Sequence, residues 1–189
     1  MHKAKFGEKR RVVDILTHSF KDNKSVNYIV IQNAKRVQHI EALMGYSYNL
    51  CSEFGRVYVN KNKTACALIM FPEKKKTTVK SILWDIRLIL KSIGISNIRK
   101  ALQREAIIKQ HHPQNQFVYL WFIGTEPKEQ GKGVGTELMN LIIADAKQLN
   151  RPIYLETSAS KNISWYESLG FKIYHELDFG YKLYCMRRE

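Results

Sequence analysis

The chain has 189 residues, 44% of them hydrophobic, and a formal net charge of +14. That length suits one domain with a substantial core, and no apolar run approaches the roughly 20 residues that cross a bilayer. The basic start, Met1 to Gly7, leads into further charge rather than an apolar signal core, so export is not expected. The three cysteines, Cys51, Cys66 and Cys185, are odd in number and far apart, with no CxxC or Cys/His cluster. They read as reduced thiols of a cytoplasmic protein without a metal site, Cys66 within an apolar run as a packing residue. The charge is lopsided. From His111 onward nine basic side chains balance nine acidic ones, so the first 110 residues hold the whole excess, 22 basic against 8 acidic. Such a half either makes a solvated surface or meets an anionic partner.

Residues 8–20 place Val12, Val13, Leu16 and Phe20 on one helical face. A second helix is expected over 33–51, through Val37, Ile40, Leu43 and Met44, with Gly45 as an interruption. Residues 56–59 and 65–71 read as a hairpin around the polar turn Asn60 to Lys63. After the loop Lys74-Lys75-Lys76, residues 78–93 carry Ile82, Leu83, Ile86, Ile89 and Leu90 and form a strong helix ended by Gly94. Another helix follows over 96–110, closed by Pro113. Next come a strand at 116–124, a glycine turn, a helix to about 150 and a strand at 153–157. A short helix at 162–169 ends at Gly170. Two strands, 171–178 and 181–187, finish the chain around Phe179-Gly180. The order is mixed, not a regular series of βαβ units.

The glycine turn, Gln130-Gly131-Lys132-Gly133-Val134-Gly135, sits between a strand and a helix. Glycines there let main-chain N–H groups approach an anion, and the helix N-terminus adds partial positive charge. A P-loop requires GxxxxGK[ST], a spacing that does not occur here. The dinucleotide fingerprint GxGxxG fails because Thr136 stands at its last glycine, and too little chain follows for a doubly wound domain.

The segment resembles instead the Q/R-x-x-G-x-G/A pattern of the GNAT superfamily of acyl-CoA-dependent N-acetyltransferases. Two neighbours carry the resemblance further. Tyr119 to Pro127 is similar to the family's fourth strand and its turn, and Asn162-Ile163-Ser164-Trp165-Tyr166-Glu167-Ser168-Leu169-Gly170-Phe171 is similar to its N-x-x-x-Y-x-x-x-G-F motif. The likeness is firm over 116–187; before residue 110 only the element order agrees.

The resemblance implies an α/β (α+β) fold: a mixed, mostly antiparallel central sheet, helices on both faces, and strands four and five splayed apart. It implies one domain over 1–189, with 1–110 on the acceptor side and 111–189 on the acetyl-CoA side. Acetyl-CoA is the implied co-substrate, with no metal. Its pyrophosphate would lie on the N–H groups of Gln130, Gly131, Lys132, Gly133, Val134, Gly135 and Thr136, with Lys132 adding charge. Its pantetheine arm would follow Phe122, Ile123, Gly124 and Thr125, with Asn162 binding the arm. At Gly124 the missing side chain suits close approach of the ligand or marks a bulge. Tyr166 matches the family tyrosine that protonates the departing thiolate. The family often places a glutamate on strand four where this chain has Tyr119, so Glu156 on strand five is the candidate base. His111 and His112 are a base, substrate contacts or plain loop residues.

The reaction implied is acetyl transfer to a primary amine, carried by a small molecule or a protein, without a membrane partner. The basic half would steer CoA, favour an anionic acceptor or only aid solubility. The rival reading is a non-catalytic basic module binding nucleic acid or CoA. Its nucleic-acid contacts would be Lys9-Arg10-Arg11, Lys74-Lys75-Lys76, Tyr46, Tyr48 and Tyr58, although no nucleic-acid motif is present.

Overall fold

The computed structural model describes residues 2, 3 and 6–189, with side chains described from Gly7 onward. Its strands are β1 (His2–Lys3), β2 (Gly55–Val59), β3 (Ala65–Met70), β4 (Val118–Thr125), β5 (Ile153–Thr157), β6 (Lys172–Asp178) and β7 (Lys182–Arg188). Its α-helices are α1 (Lys9–Phe20), α2 (Lys24–Ile29), α3 (Arg36–Phe54), α4 (Val79–Leu88), α5 (Ile98–Gln110), α6 (Val134–Gln148) and α7 (Ile163–Ser168). The strands form one sheet in the order β1-β2-β3-β4-β5-β7-β6. Every neighbouring pair is antiparallel except β4 with β5.

The sheet is covered on both faces, and β3 explains why. Its run Ala65-Cys66-Ala67-Leu68-Ile69-Met70 is buried at every position, as a strand between two cores must be. Cys66, Leu68 and Met70 join the core under α1 and α3, with Val12, Leu16, Ile40 and Met44. Ala65, Ala67 and Ile69 join the core under α6 and α7, with Leu138, Ile142, Tyr166 and Phe171. A polar clamp ties β2 to α6: Arg56 reaches Asp145 at 2.8 Å, and the Tyr58 hydroxyl donates to the same carboxylate.

Several elements differ from the sequence reading. The short helix α2 was not expected. Its N-cap is Asn23, whose side chain accepts from the Val26 N–H at 3.0 Å. Gly45 lies inside α3 without interrupting it. Helix α4 starts at the capping box of Thr78 with Ser81 and ends in a π-helical turn over Ile89–Ile93. Its inward residues are Ser81, Trp84 and Leu88, whereas Ile82, Leu83, Ile86 and Leu90 are exposed. All three cysteines are free and buried, and Cys66 packs in the core as expected. Among the described residues, no helix is long and apolar enough to cross a membrane.

The tyrosines of the nucleic-acid reading are occupied internally. Tyr48 and Tyr58 are buried, and the Tyr46 hydroxyl donates to Asp85 at 2.7 Å. Lys9 donates to Asn49 at 2.7 Å, and Arg11 pairs with Glu126. A base-stacking surface needs exposed rings beside free cations, and these rings do not provide one.

Candidate active site

The site is built on a break in the sheet. Strands β4 and β5 pair only at Val118 with Ile153 and Tyr119 with Tyr154, and then separate. A β-bulge accompanies the break. Leu68 faces Phe122 and Ile69 faces Leu120, which leaves Trp121 as the extra residue of β4. A bulge bends its strand and re-aims side chains. Here Tyr119, Trp121 and Phe122 all fall on the α1/α3 side, whereas Leu120 faces the other core.

Gly124 is not that bulge. A Cβ at Gly124 would lie 2.9 Å from Ser19 Oγ and 3.0 Å from Leu16 Cδ2. Its missing side chain lets α1 approach β4. The contact is fixed by the Ser19 hydroxyl, which donates to the Thr125 carbonyl at 3.1 Å.

The glycine turn leads from β4 into α6. Gly131 and Gly133 adopt φ of 77° and 80°, which L-residues with side chains rarely adopt. A Cβ at either would meet nothing within 4 Å, so the turn stands open. Gly133 is the N-cap of α6, without a side-chain cap. The Glu137 N–H donates to the Gly133 carbonyl at 3.0 Å. The earlier amides of Val134, Gly135 and Thr136 belong to the first turn, where helices leave donors for outside partners. An anionic group therefore fits this turn. Lys132 is exposed and paired with Glu129 at 3.1 Å. The turn is tied to β4 through Gln130 Nε2, which donates to the Thr125 carbonyl at 3.3 Å. It is tied to α7 through Trp165 Nε1, which donates to Thr136 Oγ1 at 3.0 Å.

Past the turn, one cavity of about 540 Å³ opens in the split between the strands. Phe122, Ile123, Glu156, Asn162 and Tyr166 all line it; Gly124, Thr125 and the turn itself do not. Asn162 is the N-cap residue of α7. Tyr166 is buried against Trp165 and Phe171. Among the described residues its hydroxyl has no hydrogen-bond partner, and burial pushes its ionisation upward, which keeps the phenol protonated.

Glu156 is held at both carboxylate oxygens in the cavity. Its side chain is only 5% exposed. Tyr119 donates its hydroxyl to Glu156 Oε2 at 2.7 Å, and His112 Nε2 lies 2.8 Å from Oε1. Burial, then the adjacent carboxylate, hold the Tyr119 phenol well above its ordinary range, so it acts as a donor. The two histidines part company. His112 enters the cavity, whereas His111 stacks on His175 with ring centroids 3.8 Å apart. Burial and the neighbouring histidines lower the ionisation of His111. The sequence left the partnership of His112 with Tyr119 and Glu156 unread. Its only signal was a histidine just before a strand that carries a tyrosine where the resembling family often has an acid.

Comparison with known proteins agrees with this geometry. Residues 100–171 match the Acetyltransferase (GNAT) family model, a span that holds β4, the turn, β5 and α7. Among solved structures, the chain superposes on "histone acetyltransferase HPA2 and related acetyltransferase" from Corynebacterium glutamicum at a TM-score of 0.75 and 21% identity, covering 99% of this chain and 93% of that one. It superposes on the C-terminal condensation domain of Ebony, solved with beta-alanyl-dopamine, at 0.73 and 11% identity, covering 100% and 97%. A mosquito arylalkylamine N-acetyltransferase-like protein gives 0.57 and 14% identity, covering 99% and 97%. The fold is that of the GNAT acetyltransferases, and the segment 100–171 carries that family's pattern.

Proposed function

We propose that this protein transfers an acetyl group from acetyl-CoA to a primary amine by direct attack. The observation that carries the reading is the cavity between β4 and β5. It sets a buried carboxylate, Glu156, and a partner-free phenol, Tyr166, on one space. Bound acetyl-CoA supplies a thioester carbonyl there.

The chain's own residues divide the work. The amides of Gln130 to Thr136 hold the pyrophosphate at the start of α6, and Lys132 adds charge once released from Glu129. Phe122, Ile123, Gly124 and Thr125 line the arm along β4, and Asn162 binds it from α7. Glu156 accepts the proton that the acceptor ammonium must lose before its nitrogen can attack. Tyr119 fixes one carboxylate oxygen. His112 holds the other and passes the proton outward. Tyr166 donates its proton to the departing sulfur and is reprotonated, through solvent, by the second proton that the nitrogen sheds as the amide forms. The net reaction converts an ammonium and a thioester into an amide, a thiol and one released proton.

In this reading 1–189 act as one domain, with 1–110 supplying the acceptor side and 111–189 the acetyl-CoA side. Three unpaired buried cysteines fit a reducing, cytoplasmic setting. The test is thiol release with a panel of amines, run beside calorimetry with acetyl-CoA. Binding and amine-dependent thiol release are expected; no binding of acetyl-CoA contradicts the reading.

A further inference from the structure

The cavity does not stop at the strand split. It continues from Glu156 into the first half of the chain, reaching α1, α2, α3, α4 and α5. Beyond the carboxylate one part of its wall is apolar and aromatic: Phe20, Leu43, Tyr46, Trp121, Phe122 and Ile93. Leu43, Ile93 and Phe122 are core residues, each less than a tenth exposed. The rings form a connected set. Phe20 meets Phe122 edge-on at 5.0 Å, Tyr46 meets Trp121 edge-on at 6.3 Å, and Tyr119 stacks on Trp121 at 6.5 Å and 27°.

Several polar groups around this chamber have partners, and Lys75 and Gln114 also line it. The Tyr46 hydroxyl is held by Asp85. Arg104 donates to Tyr181 at 2.9 Å and to Ser25. Lys109 pairs with Glu105 at 2.7 Å. What the chamber offers a ligand is therefore a carboxylate at Glu156, an apolar and aromatic body, and the basic side chains of Lys75 and Arg104 on its wall. A cation at that end gains from the carboxylate and from aromatic faces. A body filling the rest gains about 25 cal/mol per Å² of apolar surface removed from water. A second ammonium on the acceptor would meet the basic side chains of Lys75 and Arg104 on the wall.

We infer that the acceptor is a free small amine whose ammonium stands on an apolar, aromatic body, and that Trp121 and Tyr46 select it. The inference rests on the acetyl-transfer reading and narrows it to one acceptor class. The bulge at Trp121 acquires a role here: it turns an extra indole into the acceptor chamber at the point where β4 leaves β5. A polyamine or the lysine of a peptide matches only the charged end.

The test uses the full chain with saturating acetyl-CoA and four acceptors: 2-phenylethylamine, tryptamine, putrescine and a lysine-containing peptide. The two aryl amines are expected to exceed the other two in kcat/KM by at least about tenfold, a difference of ~1.4 kcal/mol. Preference for putrescine or the peptide overturns the inference. Trp121→Ala is expected to raise KM for tryptamine at least about tenfold, and KM for putrescine by much less. Equal effects on both also overturn it. The acceptor ranking of the unaltered protein decides the matter even if the variant fails to fold. Calorimetry keeps the two ideas apart: no acetyl-CoA binding sinks the acetyl-transfer reading, whereas binding combined with a polar preference sinks only the acceptor class.

Discussion

Glu156 and Tyr166 face one cavity from different elements, a strand and a short helix, and their surroundings differ. Tyr166 has no partner except apolar neighbours, so burial holds its proton on. Glu156 receives a hydrogen bond from Tyr119 on one oxygen and meets His112 at the other. Replacing Glu156 with Gln is therefore expected to lower kcat/KM by about 10² or more, read from thiol release. Tyr119→Phe removes one hydrogen bond but not the carboxylate, and a smaller loss is expected. Tyr166→Phe is expected to lower kcat more than tenfold while leaving acetyl-CoA affinity nearly unchanged; an unaltered kcat would assign Tyr166 to packing. At the turn, Gly133→Ala adds a Cβ into open space, so any cost is conformational, ~1–2 kcal/mol for a left-handed residue. Calorimetry should show weakened acetyl-CoA binding.

At the scale of elements, what could be read from the chain was local. The glycine turn, the Asn162–Tyr166 spacing and Gly170 each declare themselves within a few residues, and each lies where it was expected. Features set by tertiary contact did not. The bulge at Trp121 depends on how β4 registers against β3. Helix α2 has six residues, too few for a periodic signal. In α4 the richest apolar stripe stays exposed while Trp84 and Leu88 pack against α3, because periodicity marks a face without saying which neighbour covers it. Glu156, Tyr119 and His112 are brought together from β5, β4 and the loop after α5, and no short pattern links them.

Gly124 gives the sharpest test at this scale. Its smallness serves the contact with α1, where a Cβ would press on Ser19 and Leu16. Gly124→Val is expected to destabilise the fold by about 1–3 kcal/mol in urea unfolding. A neutral change would mean that α1 shifts without cost.

For the whole molecule, two consequences follow from charge and burial. The excess of basic side chains in the first 110 residues creates a positive field on that half. Association of polyanionic acetyl-CoA is expected to slow as salt rises, measured by stopped flow; a salt-independent rate would assign those charges to surface hydration alone. Burial, assisted by Asp145, pushes the Tyr58 phenol up to about 12. Burial and the nearby Glu156 carboxylate push the Cys185 thiol up to about 12. Cys51 and Cys66 are raised by burial as well. An unfolded chain ionises thiols near ~8.5 and phenols near ~10. The folded state keeps those protons longer, so stability is full below about pH 8.5 and falls as pH rises toward about 12. Thermal melts across that range check the sign; a melting temperature that rises with pH would contradict it.

The most direct test of the central claim joins cofactor, acceptor and base in one measurement. Thiol release and amine acetylation are followed together, with acetyl-CoA and 2-phenylethylamine, for the unaltered chain and for Glu156→Gln. Equal amounts of thiol and N-acetylated amine are expected from the unaltered chain, and a loss of about 10² or more in the variant. Undiminished acetylation by Glu156→Gln, or thiol release without acetylated amine, would contradict it.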